Sequence, residues 1–235
     1  CYTAHGNSEA YEFLMSRYYD VFVGVINEKP DNDMFRFFVT HEDNTSWCSC
    51  EECSKIVEKY GAKSATQLLF VNDLCERIEK YCNDNDIKAK VYFVMFAYFA
   101  TLDAPVHIDE NGNYTIVDDK IKPRDNVSVM FAPLNADYSV ALNEGSNQAT
   151  YSAMDRWNSQ TNNFEFWIYT TNFTQYFIPY DWYSSFYDNY ALLEKYLPSM
   201  SFEQNASDGL YTGTNFSTLK AYLRTKIWKN IDIDV

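Results

Sequence analysis

Val91-Tyr92-Phe93-Val94-Met95-Phe96-Ala97-Tyr98 is apolar or aromatic at odd and even positions alike. A half-exposed antiparallel strand alternates, whereas a run buried on both faces belongs to a parallel sheet covered by helices. The run is also about half the length that a membrane helix needs. Working outward, Met34 to Thr40 is a second short apolar run, with Phe35, Phe37, Phe38 and Val39. Val127 to Ala132, stopped by Pro133, is a third, and Met200 to Gln204 reads as a fifth, short strand. Between them Phe164 to Tyr169 alternates, setting Phe164, Phe166 and Ile168 on one side and Glu165, Trp167 and Tyr169 on the other.

Helical spacing fills the gaps. Ser8 to Asn27 repeats apolar residues at Phe13, Leu14, Tyr18, Val21 and Val25, ending before Pro30. Glu51 to Lys59 and Ser64 to Asn83 read as two more helices. The second has a wide face of Leu68, Leu69, Val71, Leu74, Cys75, Ile78 and Cys82, and Ser64 with Gln67 forms a capping-box pattern. Ala149 to Asn158, Trp182 to Leu197 and Phe216 to Trp228 are helical too, and a small hairpin is expected at Tyr114 to Val117. Strands alternating with helices imply right-handed crossovers and a parallel sheet. A closed (β/α)8 barrel needs eight strands and about 250 residues; five are legible here. The expectation is therefore a single α/β domain, 1–235, forming the C-terminal part of a (β/α)8 TIM-type barrel whose first three strands precede Cys1. An open doubly wound sheet is the alternative, disfavoured because no Gly-rich first turn occurs. The chain opens in a polar stretch without an initiating Met or a signal-like segment, as expected of a chain cut from something longer or processed.

Composition narrows function. The 33 acidic residues outnumber the 19 basic ones, for a formal charge of -14. A phosphate backbone would be repelled, so nucleic acid is not an expected partner. Only 7 glycines are present, and neither GxGxxG nor GxxxxGK[ST] occurs. The 20 Tyr and 5 Trp suit a neutral hydroxylated ligand, because rings stack on sugar faces and carboxylates bind hydroxyls. Aromatics also fill cores, as many of the Phe must.

In parallel folds, reactive groups gather where strands end. This selects His41, Glu42 and Asp43 after the first strand, then Tyr98 and Asp103 after the second. Asn135, Asp137 and Tyr138 follow the third, Glu165, Trp167 and Tyr169 lie on the fourth, and Glu203 on the fifth. Glycoside cleavage needs two carboxyl groups, one protonated and one ionised. The plain alternative for each acid is a helix cap or a solvated loop. For an inward Glu165 it is pairing with an Arg or Tyr, because an isolated buried charge is costly.

Cys48-Ser49-Cys50-Glu51-Glu52-Cys53 is the sharpest local pattern. Three thiols at C-x-C-x2-C spacing suit a structural Zn site completed by His41, Cys75 or Cys82. A disulfide or plain thiols are the other readings. With 3 His in the chain, an HExxH or multi-His catalytic metal site is excluded.

The run Asp43-Asn44-Thr45-Ser46-Trp47-Cys48-Ser49-Cys50-Glu51-Glu52-Cys53 resembles the D-N, W-C-x-C-x2-C pattern of the bacterial domain-of-unknown-function family DUF4838. Asn72, Ala97-Tyr98, Trp167-x-Tyr169 and Tyr222-Leu223-x4-Ile227-Trp228 fit the same family. Its members are large, often exported proteins of polysaccharide-degrading bacteria, thought to be related to α-glucuronidase-type and β-hexosaminidase-type glycoside hydrolases. The resemblance implies a barrel, a carbohydrate partner and an extracellular or cell-surface setting. It matches the family's strand-end Asp to Asp43 and its strand-end Tyr to Tyr98; Glu42 is outside the pattern. The expected activity is glycoside hydrolysis. Asp43 or Glu42 would be the acid, Glu165 or Glu203 its partner, and Tyr98, Trp167, Tyr169 and Asn135 would contact the sugar. A non-catalytic carbohydrate-binding domain and a Zn-stapled interaction domain are the alternatives.

Overall fold

The computed structural model describes residues 5, 7–169, 181–182, 184–196 and 200–204, the last five as backbone alone. The expected helix 216–228 lies outside the described residues. The chain divides into two compact units. One comprises Cys1–Phe131 with Ala153–Glu165, the other Ala132–Ser152 with Phe166–Val235.

The first unit is a mixed α/β fold on a curled parallel sheet. α1 (Ser8–Glu28) leads to β1 (Met34–Phe38), followed by α2 (Glu51–Tyr60), α3 (Ser64–Asp84) and β2 (Lys90–Ala97). β3 (Val106–Ile108) and β4 (Tyr114–Ile116) form the small antiparallel hairpin, and β5 (Val127–Phe131) returns to the sheet. β1 pairs with β2 in parallel, Phe37 beside Phe93, and β2 pairs with β5, Phe93 beside Val127. α4 (Gln148–Asn158) ends in this unit, and β6 (Phe164–Tyr169) begins in it. The Val129 amide donates to the Asn163 carbonyl at 2.9 Å, which sets the start of β6 beside β5.

Each strand puts alternate side chains on opposite faces. Phe37 and Phe93 meet the helices on one face, where Phe22 of α1 stacks on Phe37 at 4.1 Å. Phe70, Leu74 and Ile78 of α3 are fully buried in the same core. The opposite face carries Arg36 and Glu165, which form an ion pair. With β2 and β5 between β1 and β6, those two strands would lie about 14 Å apart in a flat sheet. Side chains standing perpendicular to a flat sheet could not meet over three strand spacings. Their contact requires the sheet to curl toward that face.

Local sequence explains most boundaries. Asn7 caps α1, its Oδ1 accepting from the Ala10 amide at 3.0 Å. Gly61 ends α2 in the left-handed region, φ 78°, which costs a residue without Cβ little. Two expectations are corrected. The buried face of α1 is Met15, Phe22 and Ile26, while Phe13 and Val21 are exposed; Tyr18, half-buried and stacked edge-on to Phe22, lies on the buried side. The capping box of α3 does not form either. Lys63 is the cap, the Ser64 hydroxyl donates to the Asp103 carbonyl at 2.5 Å, and Gln67 donates to the Val39 carbonyl at 3.2 Å. Tertiary carbonyl acceptors outside the helix compete successfully with its own amide groups.

In the second unit, β6 runs on through Tyr169, and α5 (Phe186–Glu194) and β7 (Met200–Gln204) follow. α5 is shorter than the expected 182–197; Trp182 packs edge-on against Phe186 from outside the helix. Asn189 ties this unit together, accepting from the Leu142 amide at 2.7 Å and donating to the Ser185 hydroxyl at 2.9 Å.

Candidate functional site

β1 ends at Phe38, and the chain continues through Val39, whose amide donates to the Val94 carbonyl at 2.8 Å. This extra ladder bond carries the register forward, bringing His41, Glu42 and Asp43 out beside the end of β2. There the Tyr98 hydroxyl donates to Asp43 Oδ1 at 2.5 Å. Glu42 and Asp43 are exposed, and Tyr98 is half-buried.

His41 is locked between the two strand ends. Its Nδ1 donates to the Glu42 carbonyl at 2.9 Å, and its Nε2 lies 2.9 Å from Thr101 Oγ1. Its ring stacks near Tyr98, centroids 6.0 Å apart, and meets Trp47 edge-on at 5.3 Å. The Trp47 indole in turn donates to Thr66 Oγ1 on α3 at 2.9 Å. Thr101 sits in a short turn where Phe99 has φ 44°, a strained value for a residue with a Cβ. The Tyr98 amide donates to Thr101 Oγ1 at 3.3 Å, so this turn fixes the direction of the Tyr98 side chain.

A cleft of about 430 Å³ opens beside this assembly, lined by His41, Glu42, Asn44, Ser46, Trp47, Cys48, Ser49 and Cys50. The volume lies within the range of small-molecule sites, about 300–1,000 Å³. Asn44 shapes its rim through an Asx turn, Oδ1 accepting from the Ser46 amide at 2.8 Å.

The sulfurs of Cys48, Cys50 and Cys53 all lie within 4.8 Å of one another, and among the described residues they are the one group of three or more potential metal ligands. No disulfide joins the five described cysteines. Cys50 caps α2, and Cys53 is fully buried one turn later. Burial, then hydrogen bonding with Cys50 and Cys48, pushes the Cys53 thiol up to about 12, opposed by a hydrogen bond from the His5 backbone. The expected fourth ligands do not join this group. Both ring nitrogens of His41 engage other partners, and Cys75 and Cys82 are buried along α3.

The remaining expected site residues are placed as follows. Glu165 is 2 % exposed and paired with Arg36, whose guanidinium also stacks over Phe38 at 4.8 Å. It thus has the Arg partner that its burial demands. Asp103 pairs with Arg156 at 3.0 Å. In the second unit Asn135 is exposed in a turn closed by the Ala136 amide and the Pro133 carbonyl. Asp137 accepts from the Ser139 hydroxyl at 2.6 Å and from its amide at 3.0 Å, bonds that hold its carboxyl below the usual range. Trp167 and Tyr169 are half-buried on β6, and Glu203 lies on the β7 backbone. Thr66 and Thr101 escaped the sequence reading. A Thr on an apolar helix face, or in a three-residue turn, has no local signature, and their importance comes from which side chains converge on them.

A family model for a domain of unknown function, DUF4838, matches residues 16–234. The chain belongs to that family. No curated protein and no solved structure matches it.

Proposed function

We propose that the chain is a carbohydrate-active, glycoside hydrolase-like domain, built as part of a (β/α)8 barrel, whose acid is Asp43. The observation that carries this reading is the Tyr98–Asp43 hydrogen bond between adjacent strand ends, next to an aromatic-rimmed cleft. Parallel α/β enzymes gather their chemistry at that end, and the Tyr98 hydroxyl holds the Asp43 carboxyl group in one orientation there. Glu42 lines the cleft and is the alternative acid. The second carboxylate is Glu165, on a later strand of the same unit. Trp47 and Tyr98 supply the sugar contacts.

The curl required by the Arg36–Glu165 pair supports the barrel reading. So does the outermost position of β1 among the described strands, with Met34 and Phe38 exposed. A parallel strand with apolar residues left in water is suited to pairing with a further part of a barrel. The resemblance to a family of often exported proteins from polysaccharide-degrading bacteria supports an extracellular or cell-surface setting.

The test is hydrolysis of a panel of aryl glycosides and plant and bacterial polysaccharides by the wild-type chain and Asp43→Asn. Removing a general acid costs about 10²–10⁴-fold in rate, while an exposed substitution moves stability by about 0.5 kcal/mol. A loss of that size with an unchanged melting temperature supports the assignment. Equal rates in both proteins contradict it. Glycan binding without turnover makes the chain a binding domain instead.

A further inference from the structure

We infer that Cys48, Cys50 and Cys53 bind one zinc ion as three thiolates, leaving a fourth coordination position toward the cleft beside the Asp43 loop. This inference stands apart from the carbohydrate reading and survives if that reading fails.

Geometry carries it. Tetrahedral zinc with Zn–S of about 2.3 Å places sulfurs about 3.8 Å apart. The three Sγ atoms already lie within 4.8 Å of one another, so closing on an ion needs shifts of about 1 Å. A disulfide requires about 2.05 Å and could use only two of the three. Cys50 and Cys53 are three residues apart at the start of α2 and share one helix face. Cys48 is delivered from the preceding loop to the same point. The helix start favours thiolate charge, and the His5 backbone N–H directed at Cys53 supplies the outer hydrogen bond that metal-bound ligands usually have. Cys48 and Cys50 are half-buried and line the cleft, so a fourth ligand can reach the ion from that side.

On binding, each thiol gives its proton to solvent and its sulfur lone pair to Zn²⁺. Three thiolates and one dication leave a net charge of -1, with no redox change. The consequence is mechanical. The ion ties the loop carrying Asp43, Trp47 and Cys48 to the first turn of α2.

The experiment is native mass spectrometry of the 235-residue chain, purified under reducing conditions and titrated with Zn²⁺, beside Co²⁺ absorption spectroscopy. One zinc per chain and an intense sulfur-to-cobalt charge-transfer band are expected. Losing an outer-shell partner costs about 10–100-fold in affinity. Cys50→Ser and Cys53→Ser should therefore each weaken binding by at least about 100-fold, and Cys75→Ser should leave it unchanged. Absence of zinc and of the cobalt band in the wild-type chain overturns the inference, whatever the variants' folding. So does a Cys50–Cys53 disulfide in the reduced preparation, or zinc retained undiminished in the Cys50 and Cys53 variants.

Discussion

Tyr98 offers its hydroxyl to Asp43 while Thr101 holds the Tyr98 amide, so one residue links the strained turn after β2 to the acid after β1. Tyr98→Phe removes that single hydrogen bond. Chemical denaturation should show a loss of about 0.5–1.5 kcal/mol, and glycan turnover should fall although the ring remains. Glu165 behaves differently because its partner is a charge. Removing one member of a buried ion pair costs about 3–5 kcal/mol, whereas replacing both with apolar groups is often neutral. Glu165→Gln should therefore lower stability strongly in urea melts, and the Arg36→Met/Glu165→Leu double variant should recover most of the loss. If Glu165→Gln melts like wild type, the ion pair is not what holds the curl. Asp43 and Tyr98 were legible because both stand where a strand-end rule looks. Arg36 was not singled out, because nothing local distinguishes an Arg in mid-strand until the strand across the curl brings a carboxylate to it.

α1 and α3 are joined by a charged clamp in which Arg77 donates to both oxygens of Glu12, at 2.7 and 2.8 Å, and to Asp73 at 2.9 Å. Tyr11 completes it by donating to Asp73 at 2.9 Å. Exposed pairs contribute about 0–1 kcal/mol each, and this one is a network. Arg77→Ala should cost about 1 kcal/mol in thermal or urea melts, with the difference from wild type shrinking at high salt. Asp118 does the corresponding work between α2 and the loop after β4. It accepts from the Lys120 amide at 3.0 Å and from the Tyr60 hydroxyl at 2.8 Å, and these bonds with nearby Lys59 hold its carboxyl below the usual carboxylate range. A carboxyl lowered in the fold stabilises above its unfolded pKa, and that contribution is lost as pH falls through the folded value. Stability should decline below about pH 4, less steeply in Asp118→Asn, which keeps an acceptor but does not titrate; equal slopes would contradict this role. At this scale periodicity served well. β7 is found at the expected Met200 to Gln204, and β1, β2 and β5 begin and end within two residues of their apolar runs. The α1 face was misjudged because its apolar residues surround most of the helix, leaving packing against β1 to choose Met15, Phe22 and Ile26. The α3 cap was misjudged because Ser64 and Gln67 found carbonyls outside the helix.

At the scale of the molecule, parallel pairing was legible from Val91 to Tyr98, a run apolar or aromatic at odd and even positions alike, in which Phe93, Val94, Met95 and Ala97 are buried. Curl was not, because it depends on how successive strands shear, and no single segment encodes that. The exposed Met34 and Phe38 of β1 give the barrel reading a direct check. In a chain extended upstream, amide hydrogen exchange across β1 should slow markedly relative to the 235-residue chain. Unchanged exchange would mean that β1 ends the sheet. The carbohydrate reading rests on the cleft beside Asp43 and Tyr98, and a crystal structure with a bound oligosaccharide tests it most directly. The account predicts a sugar hydroxyl within hydrogen-bond reach of Asp43 and a sugar face against Tyr98 or Trp47. A sugar seated elsewhere, or an empty cleft at saturating ligand, would contradict it.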